Sequence, residues 1–401
     1  MMKIEFLEDS FSYNLRDDKI EDIRVKEYEK SNYKYKIFNY DYNKKIDDLD
    51  MTESYYRSVI KNNDNKLICF SLPKSKSYDF FKENNVLHDD NVTVTEIIEG
   101  TMINLFYNYD LENWDISTKS AIGGDYFFYR NDYKTNNKSK QLTFRQMFME
   151  ALRFDKDSDF KTNTEFFNNF DKDFCYSFVL QHPENHIVLD IEQPKLFLIG
   201  AFRIKEDSIK FVDFITFRDQ YFLKEIIYYP RVYEKEKDYE EMETKYTMDK
   251  NNLIMGLMYY NKKTGTRSHN RHEKYENMRL LRGNNPNLQY QYLCLKKIGK
   301  VKEFLEYFPK YQELFYGFFN KYKNFLTNIH KSYLEYYIKK NKDSVSKKYM
   351  FHINKLHFEV YIPSLNTEEH KIINKTEIFK YFESYDPIQQ LYYLNYDDKN
   401  M

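Results

Sequence analysis

The densest run of anion-holding groups in the sequence is KKTGTRSHNRHEKYENMRLLRG, residues 262–283. There Arg267, Arg271, Arg279 and Arg282 supply planar guanidinium forks, and the Gly, Ser, Thr and Asn between them add small donors, a pattern that suits phosphate. The run belongs to a wider basic span. Residues 259–348 hold 20 Lys and Arg against 7 acids, a net +13, while the whole chain, with 62 basic and 63 acidic residues, comes to −1, so the remainder carries −14. The expectation is a solvated basic face that binds nucleic acid, built from the four arginines with Lys296 and Lys297. If it neutralises about five phosphates of a single strand, affinity should fall roughly 100-fold between ~50 and ~200 mM salt.

Other spacings are less productive. His269-x-x-His272 could offer two zinc ligands with Cys294, but arginines crowd the pair and the cysteine is more than 20 residues away, so no metal site is expected. Glu96 and Glu99 lie three apart in a strand-like run and should face opposite ways, which excludes a paired acid and base. His182 and His186 flank a turn, in structural or phosphate-contacting positions. The glycines of SAIGGD and TGTRS do not make a GxxxxGK[ST] phosphate loop.

Composition sets outer bounds. A chain of 401 residues can bury one large core or two ordinary ones. Its 40 Tyr and 34 Phe, beside only 9 Gly and 8 Pro, read as the codon bias of an AT-rich genome, so scattered rings are not evidence of base stacking. Three dispersed cysteines form no CxxC pair and fit a reducing, intracellular compartment. The N-terminus carries acids where a signal peptide would be apolar, and apolar runs stay short of ~18 residues, so neither secretion nor a membrane partner is expected.

The elements that must position these groups fall in order along the chain. Residues 1–64 are charged, Tyr-rich and weakly periodic, an N-terminal appendage of the core with a helix-like stretch at 51–61. From 66 to about 232, short apolar runs such as LICFSL, VTVTEIIEG, TMINLFYNY, FCYSFVLQ and KLFLIGAFRI alternate in the manner of antiparallel strands. Phe144–Arg153 and Thr164–Phe170 read as helices between them, and the acidic stretch Glu234–Asp249 as a solvated connector. After a strand at Leu253–Tyr260, aromatics and leucines recur at 3–4 spacing. The fold class expected is α+β, with a sheet-rich domain over 65–295 and a helical C-terminal domain over 296–401.

The stretch Val92–Arg130 resembles the nucleotide-binding half of covalent nucleotidyltransferases, specifically the phage-type RNA ligase family, and the likeness runs over roughly 66–296. The family's Lys-x-Asp-Gly motif falls on Ile97, Ile98, Glu99 and Gly100. SLPKSKSYDFF is similar to its Ser-Arg-Pro and Lys-Phe-Phe segments, DISTKSAIG keeps a lysine at Lys119, and CYSFVLQHPENHIV matches a strand ending in Pro-x-Asn-Arg-Ile-Val. Through EGTMIN, LQHPEN and RGNNPNLQYQYLCLKK the chain also resembles the RNA ligase family of large nucleocytoplasmic DNA viruses.

The resemblance implies an antiparallel nucleotidyltransferase core of the ATP-grasp-like RNA ligase kind, and chemistry through a lysyl-adenylate. Here Ile97 stands at the nucleophile, Val179 at the ribose-binding glutamate, Met255 at the metal-placing glutamate and Leu72 at the upstream arginine. Only Arg279 and Arg282 lie near the expected Lys-x-Lys. The reading is a degenerate enzyme whose nucleotide pocket is filled with apolar side chains, with Ile97, Val179 and Met255 packed together. No cofactor is then expected, and ATP and Mg²⁺ enter only if a relocated lysine acts, with Lys74, Lys76 or Lys119 available and Lys119 preferred. The resemblance further implies RNA as partner, a viral transcription or assembly complex as a second possibility, and a location in the host cytoplasm, a viral factory or the virion.

Overall fold

Strands occupy the first part of the chain and helices the last in a computed structural model that describes residues 11–14, 23–45, 48–127, 142–218, 225–248, 254–283, 285, 287–368 and 370–396. Parts of the expected elements, at 1–10, 15–22, 46–47, 128–141, 219–224, 249 and 253, lie outside the described residues. Contacts divide the chain into a first unit that ends at Arg279 and a second that begins at Leu280. The expected boundary at 296 falls inside the helix Leu288–Lys297, whose Tyr292, Leu293 and Leu295 are buried.

The first unit holds three sheets. The largest runs in the order β1 (Ser12–Asn14), β11 (Ser208–Val212), β10 (Lys195–Lys205), β9 (Phe174–Gln181), β7 (Thr101–Asn108) and β8 (Asn113–Ser117). Its neighbours pair antiparallel, except that β12 (Ile227–Tyr228) lies parallel to β10. A second sheet is a meander of β2 (Ile23–Lys30), β3 (Tyr33–Tyr40), β4 (Val59–Asn62) and β5 (Leu67–Phe70). The third orders β14 (Arg267–Arg271), β13 (Gly256–Asn261) and β6 (Val92–Glu96).

Local chemistry accounts for the turns. Ser31 and Asn32, at φ 51° and 70°, form the two-residue left-handed loop that matches the twist of the β2–β3 hairpin. The helix-like stretch at 51–61 is a helix only over Met51–Tyr55, started by the Asp50–Glu53 capping box, after which β-branched Val59 and Ile60 continue as β4.

β9 shows why its sequence is an unbroken apolar run. Phe174, Tyr176, Phe178 and Leu180 join the main core with Met147 and Phe148 of the helix Phe144–Ala151, while Cys175, Ser177 and Val179 face the other way and are buried too. Residues before 65 share cores with the rest of the unit: Phe11, Tyr55 and Val59 pack with Phe70, Phe202 and Phe211.

Two glycines are required by close approach. Gly100 (φ 152°) opens β7, and a Cβ there would meet the Leu180 carbonyl oxygen and, at 2.8 Å, Val179 Cγ1. Gly256 (φ 147°) starts β13 with the Asn270 carbonyl where a Cβ would sit. Gly256→Ala should therefore cost about 2–4 kcal/mol through backbone strain plus overpacking. A thermal melt matching that of the unchanged protein would refute this.

The second unit is helical. Its longest helix, Gln312–Tyr333, turns Phe315, Tyr322, Phe325, Ile329 and Tyr333 inward at helical spacing. Lysines occupy the positions between.

Candidate functional site

The third sheet of the first unit has two unlike faces. Val92, Val94, Leu257 and Tyr259 point into a core with Phe81 and Met242. The alternate residues point the other way in cross-strand rows: Thr93–Tyr260–Arg267, Thr95–Met258–His269, and Gly256 opposite Arg271. Facing that surface, the ends of the large sheet leave a cavity of about 270 Å³.

Ile97, Val179, Met255 and Leu72 all line this cavity. The expected convergence of Ile97, Val179 and Met255 is seen as shared lining of this cavity, but they do not fill it as expected. Cations border the same space, and Ile97 and Met255 are joined to the sheet that carries three of the residues named next: Ile97 N–H donates to the Gly256 carbonyl at 2.9 Å and His272 N–H to the Met255 carbonyl at 3.0 Å. Arg57, Lys74, Arg267, His269 and Arg271 line the same cavity, and like charges hold one another apart rather than closing on an apolar surface.

These cations are poorly compensated. Arg267 is 7% exposed, and its Nε and one terminal nitrogen have no hydrogen-bond partner. Its other terminal nitrogen meets only the Met258 sulfur, at 3.4 Å. Arg271 has an unpartnered Nε and a distant Glu276 carboxylate at 3.6 Å. Among the described residues, no carboxylate pairs with Arg57, Lys74 or Arg267.

Burial, then Arg57, Arg267 and Arg271, pulls the Lys74 amine down to about 8. Burial, then Arg271, Lys74, Arg267 and Arg57, takes His269 to about 3, so its ring is neutral at neutral pH. Burial, with Arg57 beside it, lowers Arg267 to about 9.

Two carboxylates share the lining, and one oxygen of each is engaged. Glu96 Oε1 accepts the Arg231 N–H at 2.9 Å, and Asp213 Oδ1 accepts the Ile215 N–H at 3.2 Å. Burial holds the Asp213 carboxyl above its usual range. A divalent cation of the Mg²⁺ type needs several free oxygen ligands and negative charge around them. This lining sets two carboxylates, each with one oxygen already bonded, among three guanidiniums and an amine, and no cluster of three or more His, Cys, Asp or Glu suited to a metal occurs among the described residues.

The expected nucleic-acid face is not one surface. Arg267 and Arg271 line the cavity, whereas Arg279 is ion-paired to Glu276 three residues before it. Arg282 is 4% exposed, donates to the Asn285 carbonyl at 3.3 Å and lies over the Tyr311 ring. The expectation of a solvated face thus fails at Arg267 and Arg282, because β14 and the helix Glu273–Arg282 turn them inward. Lys296 pairs with Glu383 over the Tyr322 and Phe379 rings, and Lys297 pairs with Asp386 at 3.2 Å.

Of the three lysines available as a relocated nucleophile, only Lys74 is among the lining residues. Lys119 stacks over Tyr40 and Tyr42, its amine donating to the Tyr40 hydroxyl at 3.0 Å, and Lys76 donates to the Leu49 carbonyl. His182 and His186 hold their turn together: His182 bonds Glu150 at 2.8 Å, and His186 meets the Pro183 carbonyl at 2.6 Å.

Glu99, at the motif's acidic position, is 3% exposed and wholly occupied by the protein. Oε1 accepts the N–H groups of Ile187 and Val188 at 2.7 and 3.0 Å. Oε2 accepts Leu189 N–H at 3.1 Å and the Tyr275 hydroxyl at 2.8 Å.

No family model matches the chain. Over 108 residues it is 29% identical to an RNA ligase of Rhodothermus phage RM378, a match spanning 27% of this chain and 22% of that ligase. Among solved structures, an archaeal ATP-dependent RNA ligase overlays with a TM-score of 0.38 at 10% identity, over 90% of this chain and 83% of that one. A variant of a Naegleria gruberi RNA ligase with AMP and Mn gives 0.35 at 11% identity, over 51% of this chain and 56% of the other. The chain thus spans little more than half of the latter and under a quarter of the phage protein. Its sequence likeness to an RNA ligase covers about a quarter of its length.

Proposed function

We propose that this protein is an RNA-ligase-like chain that binds RNA by seating a phosphate in the cationic cavity and no longer transfers adenylate. The observation that supports this most is the meeting of unpaired cations and an apolar motif position in one cavity. Arg57, Arg267 and Arg271 offer positive charge, the latter two with unfilled donors, while Ile97, at the position the resemblance gives to the nucleophile, has no group that can attack phosphorus. Phosphate binding needs the cations alone, whereas adenylyl transfer also needs a nucleophile.

Incubation with labelled ATP and Mg²⁺ should leave no label on the protein after denaturation, while single-stranded RNA binds and is released by salt. Ile97→Lys should not restore labelling. The new amine would join a cavity already holding Arg57, Lys74, Arg267 and Arg271, and neither Val179 nor Met255 can place ribose or metal. Labelling of Ile97→Lys alone would overturn the reading, as would failure to bind RNA at all.

One specific observation favours a second reading, an active ligase with Lys74 as nucleophile. Its amine lines the cavity and is held at about 8, so a reactive free-base fraction is present near neutrality. An acid-labile adduct mapped to Lys74 and absent from Lys74→Arg would establish it.

A further inference from the structure

The cavity's cations lack what buried cations ordinarily have. A guanidinium taken out of water is retained when a carboxylate or full set of acceptors replaces its hydration. Arg267 has neither, since two of its nitrogens are unpartnered and the third meets a thioether. Arg271 keeps an unpartnered nitrogen as well, and the Tyr260 hydroxyl beside Arg267 is a fourth unpartnered donor in the same lining. Buried unpaired groups gathered in one place call for a missing partner. A water molecule would satisfy a donor but would leave the charge, so the partner must be an anion.

The chemistry of that anion follows from the count of groups. Three guanidiniums and an amine converge on about 270 Å³, against two carboxylates that already accept backbone N–H groups. A phosphate that reaches its site through Mg²⁺ needs free carboxylate oxygens to hold the metal. Here only two carboxylates are present, one oxygen of each already accepts a backbone N–H, and the surrounding field is positive and would repel the ion.

We propose that the cavity is a metal-independent phosphoanion site, in which Arg57, Arg267 and Arg271 take the place that a divalent cation holds in metal-assisted phosphate binding. The inference rests on the phosphate-binding reading above and narrows it. Arg267 and Arg271, four apart on β14, contact the anion from one wall, and Arg57 and Lys74 approach from the segments that flank β4 and β5. The ligand is a phosphate monoester or diphosphate group bound as the free anion.

Inorganic pyrophosphate is the probe, titrated calorimetrically into the full chain once in EDTA and once in excess Mg²⁺. Binding should be seen in EDTA, and Mg²⁺ should weaken it severalfold, because the magnesium complex carries less charge. The Glu96→Gln, Asp213→Asn double variant should bind more tightly in EDTA, since two repelling charges are gone while both side chains can still accept their N–H bonds. Pyrophosphate should also compete with RNA.

Binding that appears only with Mg²⁺ and disappears in the double variant would overturn metal independence and leave the phosphate-seating reading standing. No pyrophosphate binding in either condition, with RNA still bound, would remove the cavity as the site. Loss of both ligands would take the proposed function with it.

Discussion

Arg267→Met should make the unliganded protein more stable and, in the same variant, nearly abolish phosphoanion binding. The two effects have one cause. Arg267 is buried without an ion-pair partner, its Nε and one terminal nitrogen unbonded, and the positive Arg57 is near enough to lower its proton affinity. Methionine has similar length and suits the contact with Met258, so removing the charge should raise stability by about 1–3 kcal/mol. With ligand present, the loss of a buried charge-assisted contact should cost about 2–4 kcal/mol, roughly 30- to 1,000-fold in affinity. Arg267→Lys keeps the charge but loses the fork, and should fall between. Arg271→Met should stabilise less, because Glu276 already lies 3.6 Å away.

The same repulsion should be visible in the pH dependence. Lys74 is held at about 8 in the fold, below the ~10.4 of a free lysine, so between these values the unfolded chain binds more protons. The penalty is present in full below pH 8 and fades as pH rises towards 10.4. Lys74→Met should flatten that rise. If Arg267→Met were instead destabilised with unchanged binding, the guanidinium would be a packing element and the cavity would lose its main support.

Much of this frame is legible in the order of residues alone. Period-two alternation in VTVTEIIEG and the apolar run FCYSFVLQ mark β6 and β9, and the resemblance places Ile97, Val179 and Met255 around one space. Charge is the misleading signal. Arginine in a polar, glycine-containing run ordinarily means surface, and that rule puts Arg267 in solvent. A contrary signal is present: in RSHNR the residues Arg267, His269 and Arg271 alternate, so as a strand they must share a face, and the adjacent Gly256–Asn261 is apolar on both faces, with Met258 and Tyr260 on that one and Leu257 and Tyr259 on the other, so neither face is meant for solvent. Arg57 and Lys74 carry no such signal. They reach the cavity only because three sheets bring segments some two hundred residues apart against one another, which periodicity within a window does not encode.

Glu99→Ala should be the most destabilising single change in the first unit, at about 3–5 kcal/mol. The resemblance aligns Glu99 with a catalytic motif, yet its carboxylate is already saturated by three successive backbone N–H groups, Ile187 to Leu189, and by the Tyr275 hydroxyl. No lone pair is left for a substrate. The four donors come from two places: the segment after the turn braced by His182 and Asn185, and the helix Glu273–Arg282, which follows directly on Arg271. Glu99 is therefore a positioning residue that ties both to the turn carrying Ile97. Truncation to alanine strands four buried donors at once, and each unsatisfied donor costs about 1–3 kcal/mol before any relaxation. Glu99→Gln keeps the acceptor oxygen but brings an amide against N–H groups, and should lose about half as much. Tyr275→Phe removes one bond and should cost about 1 kcal/mol, with a coupling to Glu99→Ala of similar size in a double-mutant cycle. Chemical denaturation of the four proteins tests this directly. A Glu99→Ala protein with native stability and selectively lost phosphate binding would make the carboxylate part of the ligand site, against every contact that now holds it.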